Sequence, residues 1–250
     1  MRGLTTSPIP YRHLSFEMSF NLLDNKLEVS TSEGGYFAFV LDDLPVAEFY
    51  RKLFEGLSSL GIEALINPKP FDLDDAHMLD DNLFHCVCDW EYVRRYWRIL
   101  VDVDQIFKEF SGRFYGKTSP VHLFWHSFDL AVTRFSGRRA PPRAGADKVT
   151  REAYSHEVIS FGFWAGDQKV REPAFYAYAA PEPEGFTDQP LSPDAAFWTP
   201  EGGTAILMYE EVRKSESPRE TLLEFLESAY LAGANTANWD TEELRAAPTS

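Results

Sequence analysis

Apolar and polar positions alternate along residues 14–41, and this period-two pattern predicts strands. FEMSF, KLEVST and YFAFVL carry the β-formers, and the DN and EGG segments between them predict turns. The period then changes. Val46, Phe49, Tyr50, Leu53, Leu57 and Leu60 repeat at helical spacing, so a helix is predicted over 45–60, with Pro45 in its first turn and Gly61 closing it. IEALI, residues 62–66, predicts another strand. Residues 67–89 are acidic and irregular, with Pro68 and Pro70, and predict a surface loop. A long helix is predicted over 90–111. Asp89 caps it, Val93, Tyr96, Trp97, Leu100, Val103, Phe107 and Phe110 form its apolar stripe, and Gly112 ends it.

Beyond that helix, residues 120–135 are rich in β-branched and aromatic side chains: Val121, Phe124, Trp125, Phe128, Val132, Thr133 and Phe135. With Pro120 at its start, the segment predicts one continuous strand. Residues 137–149 are rich in Pro, Gly, Ala and Arg and predict a loop. EVISFGFW, AFYAYA and TAILMY predict three more strands. Ser217, Pro218 and Glu220 predict a capping box opening a last helix. Leu222, Phe225, Leu226, Ala229 and Tyr230 face the core in that helix, Gly233 ends it, and the tail AAPTS frays.

These elements give an α+β fold, an antiparallel β-sheet with helices packed on it, in a single compact domain over 1–250. Two segments share the order strand, turn, strand, helix, and each turn contains EGG. That order reads either as an internal strand-turn-strand-helix duplication, with halves at about 14–61 and 156–234, or as a common succession of elements.

Charge narrows the partners. The 250 residues carry 39 acids against 24 bases, a formal net charge of −15. Such a surface repels phosphate backbones and anionic membranes, so neither nucleic acid nor membrane is expected as a partner. No apolar run reaches the length of a membrane span and MRGLTTSPIP lacks a signal-peptide core, so a cytoplasmic protein is expected. The two cysteines, Cys86 and Cys88, are separated by one residue, which is awkward for a relaxed disulfide. With His85 they make an incomplete zinc set.

Against this acidic background RFSGRRAPPR, residues 134–143, concentrates four arginines. Arginine presents a fork suited to carboxylate or phosphate. Arg134, Arg138 and Arg139 therefore read in two ways. They hold a small anionic ligand at the loop leaving a central strand, or they pair with the chain's own acids, among them Glu152, Glu157, Glu182 and Glu184. Arg143 reads as solvated. His122 and His126 are spaced H-x-x-x-H, a metal pair on a helix but about 13 Å apart on a strand. On the predicted strand His122, Phe124, His126, Phe128, Leu130, Val132 and Arg134 share one face and could line a pocket. His156 and Glu157 are adjacent, an imidazole and a carboxylate suited to acid–base work but facing opposite ways on a strand. The resulting expectation is a small-molecule pocket between 120–135, the following loop and 152–157. His122, His156 and Glu157 would be its acid–base groups, and Arg134, Arg138, Arg139, His126 and Glu152 would bind an anionic ligand. The alternative is a non-catalytic structural or interaction domain with the arginines in internal ion pairs. No nucleophile motif, phosphate loop or dinucleotide fingerprint is present, so no cofactor is identified.

GKTSPVHLFWHSFDLAVTRFSGRRAPP, VTREAYSHEV, FYAYAAPEPEGF and the early RGLTTSPIPY together resemble a bacterial family known as a domain of unknown function. The resemblance covers nearly the whole chain and implies no activity, cofactor or substrate. It implies that members extend further upstream, with a Trp-rich segment and another strand. By that comparison the chain looks N-terminally shortened, leaving a strand edge unpaired or a pocket incomplete. A small residue is usual in the family at the position of His126.

Overall fold

A computed structural model describes residues 2–70, 77–84, 88–124, 127–168 and 170–246. These fall into two compact units, Met1–Ile99 and Leu100–Ser250. Both are built from antiparallel sheets with helices, so the α+β expectation holds.

The first unit contains β1 (Gly3–Thr5), β2 (Ile9–Tyr11), β3 (Leu14–Asn21), β4 (Lys26–Thr31) and β5 (Tyr36–Val40), followed by α1 (Val46–Ser59). Sheet order is β1-β3-β4-β5, with β2 also pairing β3. The register places Met18 opposite Val29 and Phe37 opposite Val29 on the far side, so the apolar positions of three strands share one face. Phe16, Val29, Leu57 and Ile62 form the core there. α1 approaches closely because Gly56 has no side chain: a Cβ would lie 2.1 Å from the Phe37 ring.

IEALI is not a strand. Its first residue completes the helix end. Ile62 N–H donates to Leu57 O (3.0 Å), Gly61 N–H donates to Ser58 O (2.9 Å), and Gly61 sits at φ +74°. This is a Schellman end, in which the buried Ile62 contacts the buried Leu57, and it diverts the backbone groups that a strand would need. α2 (Trp90–Gly112) starts in this unit, and Asp89 Oδ1 accepts from the N–H of Glu91 (3.0 Å) as expected. Arg94 ties α2 to the β3–β4 turn, donating to Leu22 O and Asn25 Oδ1, each at 2.8 Å.

The second unit holds β6 (His122–Phe124), β7 (Asp129–Arg139), α3 (Lys148–Ala153), β8 (His156–Trp164), β9 (Ala174–Ala180), β10 (Phe197–Trp198), β11 (Thr204–Met208), α4 (Tyr209–Lys214) and α5 (Pro218–Thr236). Its six strands run β10-β11-β9-β8-β7-β6, all pairs antiparallel. One face carries Leu130, Val132, Ile159, Phe161, Phe163, Phe175, Ala177 and Leu207, all buried. Phe110 at the end of α2 stacks edge-on against Phe161 (4.8 Å), and α5 brings Leu222, Phe225, Leu226 and Ala229 to the same core.

Four expectations need correction here. Residues 120–135 are not one strand: β6 and β7 form a hairpin, with His122 opposite Ala131 and Phe124 opposite Asp129. The turn uses Phe128 at φ +56°, a conformation normally signalled by Gly or Asn, so the sequence carries no turn signal there. The predicted loop 137–149 contains the end of β7 and the start of α3, which Asp147 caps through the N–H groups of Val149 (2.7 Å) and Thr150 (3.0 Å). Ser217 makes no side-chain cap to α5, although Pro218 occupies the first turn. Gly233 does not end α5 but lies within it, where a Cβ would meet Ile159 Cδ1 at 2.8 Å. Of the tail AAPTS, expected to fray, Ala246 N–H donates to Arg113 O (3.0 Å), and residues 247–250 lie outside the described residues.

Candidate functional site

The arginine-rich segment is built around an irregularity in β7. Phe135 pairs with Val158 and Arg139 with His156, so Ser136, Gly137 and Arg138 together oppose Glu157 alone. Gly137 at φ +86° makes this possible. The extra residues converge on that carboxylate. Ser136 Oγ donates to it (2.9 Å), as do Arg138 Nε (2.9 Å) and, from beyond α5, Trp239 Nε1 (3.1 Å). Arg138 also donates to Ala237 O (2.6 Å) and Asn238 O (3.3 Å). It thus supplies positive charge at the C-terminal end of α5, where the unsatisfied carbonyls of a helix gather. A cleft of about 140 Å³ lined by Glu157, Ala179, Pro181 and Trp239 adjoins this lock. It is too small for most organic ligands.

Arg134 lies on the helix-packed face and is 1% exposed. Its guanidinium sits over Phe110 (3.5 Å to the ring centroid), Tyr230 (4.5 Å) and Phe114 (5.0 Å). It donates to Phe110 O (2.6 Å) and lies 3.7 Å from a Glu227 carboxylate oxygen. Burial pulls its pKa down to about 10, opposed by the negative charge of Glu227, and it stays cationic at neutral pH. Arg139 is exposed, and Arg143 stacks over Tyr154 (4.3 Å) instead of being merely solvated. Glu152 is exposed on α3. The structure therefore does not gather Arg134, Arg138 and Arg139 around one cavity among the described residues. Arg134 and Arg138 each have their own internal partners.

The histidines are on the opposite face of this sheet, and they are far apart. His122 is beside Ala131, which is beside Gly162, whereas His156 lies six positions back along β8. Strand rise alone puts about 20 Å between those rows. His122 is exposed and packs against Phe124 (4.5 Å between rings), and His156 Nδ1 is 3.1 Å from Ser155 Oγ. His126, like His85 and Cys86, lies outside the described residues. Cys88 is exposed, and no described group of three or more His, Cys, Asp or Glu is placed to hold a metal.

Between the two histidines the same face carries a polar network that the sequence reading missed. Thr133, Ser160 and Tyr178 stand in register on β7, β8 and β9, and Gly162 and Tyr176 form the next row. Thr133 Oγ1 and Ser160 Oγ are 2.8 Å apart, and Tyr178 Oη is 3.0 Å from Tyr154 Oη. Tyr176 lies across the sheet over Gly162, where a Cβ would come within 2.2 Å of its ring. Its hydroxyl thereby reaches Asp129 on β7 and donates to that carboxylate. Trp164 packs edge-on to Tyr176 (5.4 Å), which stacks with Tyr178 (6.1 Å). Asp129 is 7% exposed, and the partner identified for it among the described residues is neutral. Burial first, then the charge of Asp129, raises the pKa of Tyr176 well above the usual phenol value; burial and Tyr154 do the same for Tyr178. Both remain hydrogen-bond donors at neutral pH. The signal for this face was present as alternation: Tyr176 and Tyr178 in FYAYA, and Ser160, Gly162 and Trp164 in SFGFW, each two apart.

Comparison with known proteins supports a family of unknown function. No curated protein and no solved structure matches the chain. The profile of one family of unknown function, DUF5996, matches residues 1–246, and the chain belongs to that family.

Proposed function

We propose that the protein binds a small organic cation on the tyrosine face of its second sheet, at Asp129, Tyr176, Tyr178, Tyr154 and Ser160. The observation that carries this reading is Asp129: a buried carboxylate set among tyrosine and tryptophan rings, whose identified partner is a neutral hydroxyl. A buried charge is stabilised by a counter-charge, and aromatic faces favour an ammonium group. The net charge of −15 adds a field that draws cations toward the molecule. The tyrosines are held protonated, which suits them to fix a ligand rather than to abstract protons. His122 and His156 are too far apart along this face to serve as one acid–base pair.

A second reading is favoured by Arg138, whose guanidinium is engaged by Glu157 and two helix-end carbonyls. In that reading the protein is a non-catalytic structural or interaction domain. The anionic-ligand version keeps Arg139 as its exposed cation. Thermal denaturation with choline, a short diamine, a carboxylate and inorganic phosphate separates the three. Choline or the diamine should raise Tm, and Asp129→Asn should abolish the rise. Stabilisation by phosphate that Arg139→Ala removes would replace the cation reading with the anionic one. Indifference to every probe would leave the structural domain.

A further inference from the structure

We propose that β5 is the seam of a symmetric dimer, in which two copies of this chain pair edge to edge and antiparallel about Ala38. β5 ends the order β1-β3-β4-β5 and has β4 as its neighbour. Thr31 N–H donates to Gly35 O and Leu41 N–H donates to Asn25 O, each at 2.9 Å. The odd-numbered residues of this segment therefore face β4. By the alternation of an antiparallel ladder, the N–H and C=O groups of Tyr36, Ala38 and Val40 point outward. Among the described residues no backbone group pairs with them.

Edges of this kind are usually blunted by a charge, a proline or a bulge, and YFAFV has none of these. Tyr36 is 59% exposed and Val40 48%. The occupant is a second copy because the segment is nearly palindromic. A two-fold axis at Ala38 sets Ala38 against its own mate, Phe37 against the mate's Phe39, and Tyr36 against the mate's Val40. The small residue falls where the copies meet, and each aromatic or β-branched side chain meets another on the same face, pairings that favour strand association. Because Ala38 points its backbone outward, the central pair exchanges both hydrogen bonds, and the seam closes about six in all. Both copies carry the same net negative charge. Association should therefore strengthen as salt screens those charges.

Sedimentation equilibrium of the full chain over a concentration series tests this directly. The expected result is a monomer–dimer equilibrium that shifts toward dimer with added salt. Ala38→Pro removes one outward N–H and leaves the β4 ladder intact, so it should weaken dimerisation by about tenfold or more. Ala38→Cys, made with Cys86→Ser and Cys88→Ser, should cross-link on mild oxidation, because a hydrogen-bonded antiparallel pair holds its Cα atoms at about 5.5 Å, a separation suited to a disulfide. Ser30→Cys in the same background, on the exposed side of β4, reports random collision. Cross-linking at Ala38 well above that at Ser30 supports the seam even where Ala38→Pro disturbs the fold. A wild-type chain that stays monomeric at every concentration would overturn the proposal. So would a dimer that tolerates Ala38→Pro and cross-links equally at both positions.

Discussion

Gly162 shows how one missing side chain organises the candidate site. The Tyr176 ring occupies the space above it and so spans from β9 to Asp129 on β7. Gly162→Ala forces that ring aside, and a loss of about 1–3 kcal/mol is expected from urea denaturation. In a Tyr176→Leu background the flexible side chain can move away, so the penalty should shrink, and a double-mutant cycle reads the coupling. Arg134 poses a different balance. Its burial opposes its charge, while three rings, Phe110 O and Glu227 hold it. Arg134→Ala empties the space and should lower stability by about 3 kcal/mol. Arg134→Met fills much of it and removes the buried charge, so it should stay within about 1 kcal/mol of the parent. Sequence alone marks Arg134 as anomalous on an apolar strand. The rings around it come from the end of α2, the residues just beyond, and α5, and no local pattern reports them.

At the scale of elements, the Ser136–Arg138 irregularity sets where α5 stops. Glu157 receives Ser136, Arg138 and Trp239, and Arg138 passes on to the last carbonyls of the helix. Glu157→Ala should cost about 2 kcal/mol, and amide exchange should show the loss concentrated in residues 230–239. Arg138→Ala should give a similar pattern, and the two effects should be less than additive because they break one network. Gly137→Ala tests the bend itself: at φ +86° a side chain should cost about 1–2 kcal/mol. Most elements here were legible, because period-two and helical spacing survive in β3–β5, α1, α2, β8, β9 and α5. The β6–β7 hairpin was not, because its turn places a phenylalanine in the left-handed region with no glycine to announce it. That error put His122 and Arg134 on one face. The register puts them on opposite faces, and register is a property of strand pairs that no single strand encodes.

For the whole molecule, the ionisation of its tyrosines links the site to stability. In the native state Tyr176 and Tyr178 have pKa values raised above the ordinary 10.0, by burial first, then by the Asp129 charge for Tyr176 and by the Tyr154 hydroxyl for Tyr178. An unfolded chain loses those protons near pH 10. Above that pH the native state binds more protons than the unfolded state, so stability falls as pH rises; below it both states are protonated and the contribution is fully present. Each such group adds a slope of about 1.4 kcal/mol per pH unit above its unfolded pKa. Urea midpoints measured from neutral to strongly alkaline pH should therefore drop steeply once pH 10 is passed. Tyr176→Phe and Tyr178→Phe should each flatten that limb by about one proton while leaving the neutral-pH limb parallel to the parent. Tyrosinate absorbance gives the complementary reading. Of the eleven tyrosines, the native protein should hold back at least these two until it unfolds. If all titrate together near pH 10 while the fold persists, the hydroxyl network is open to solvent and unable to keep the Asp129 carboxylate in the environment that a bound cation requires.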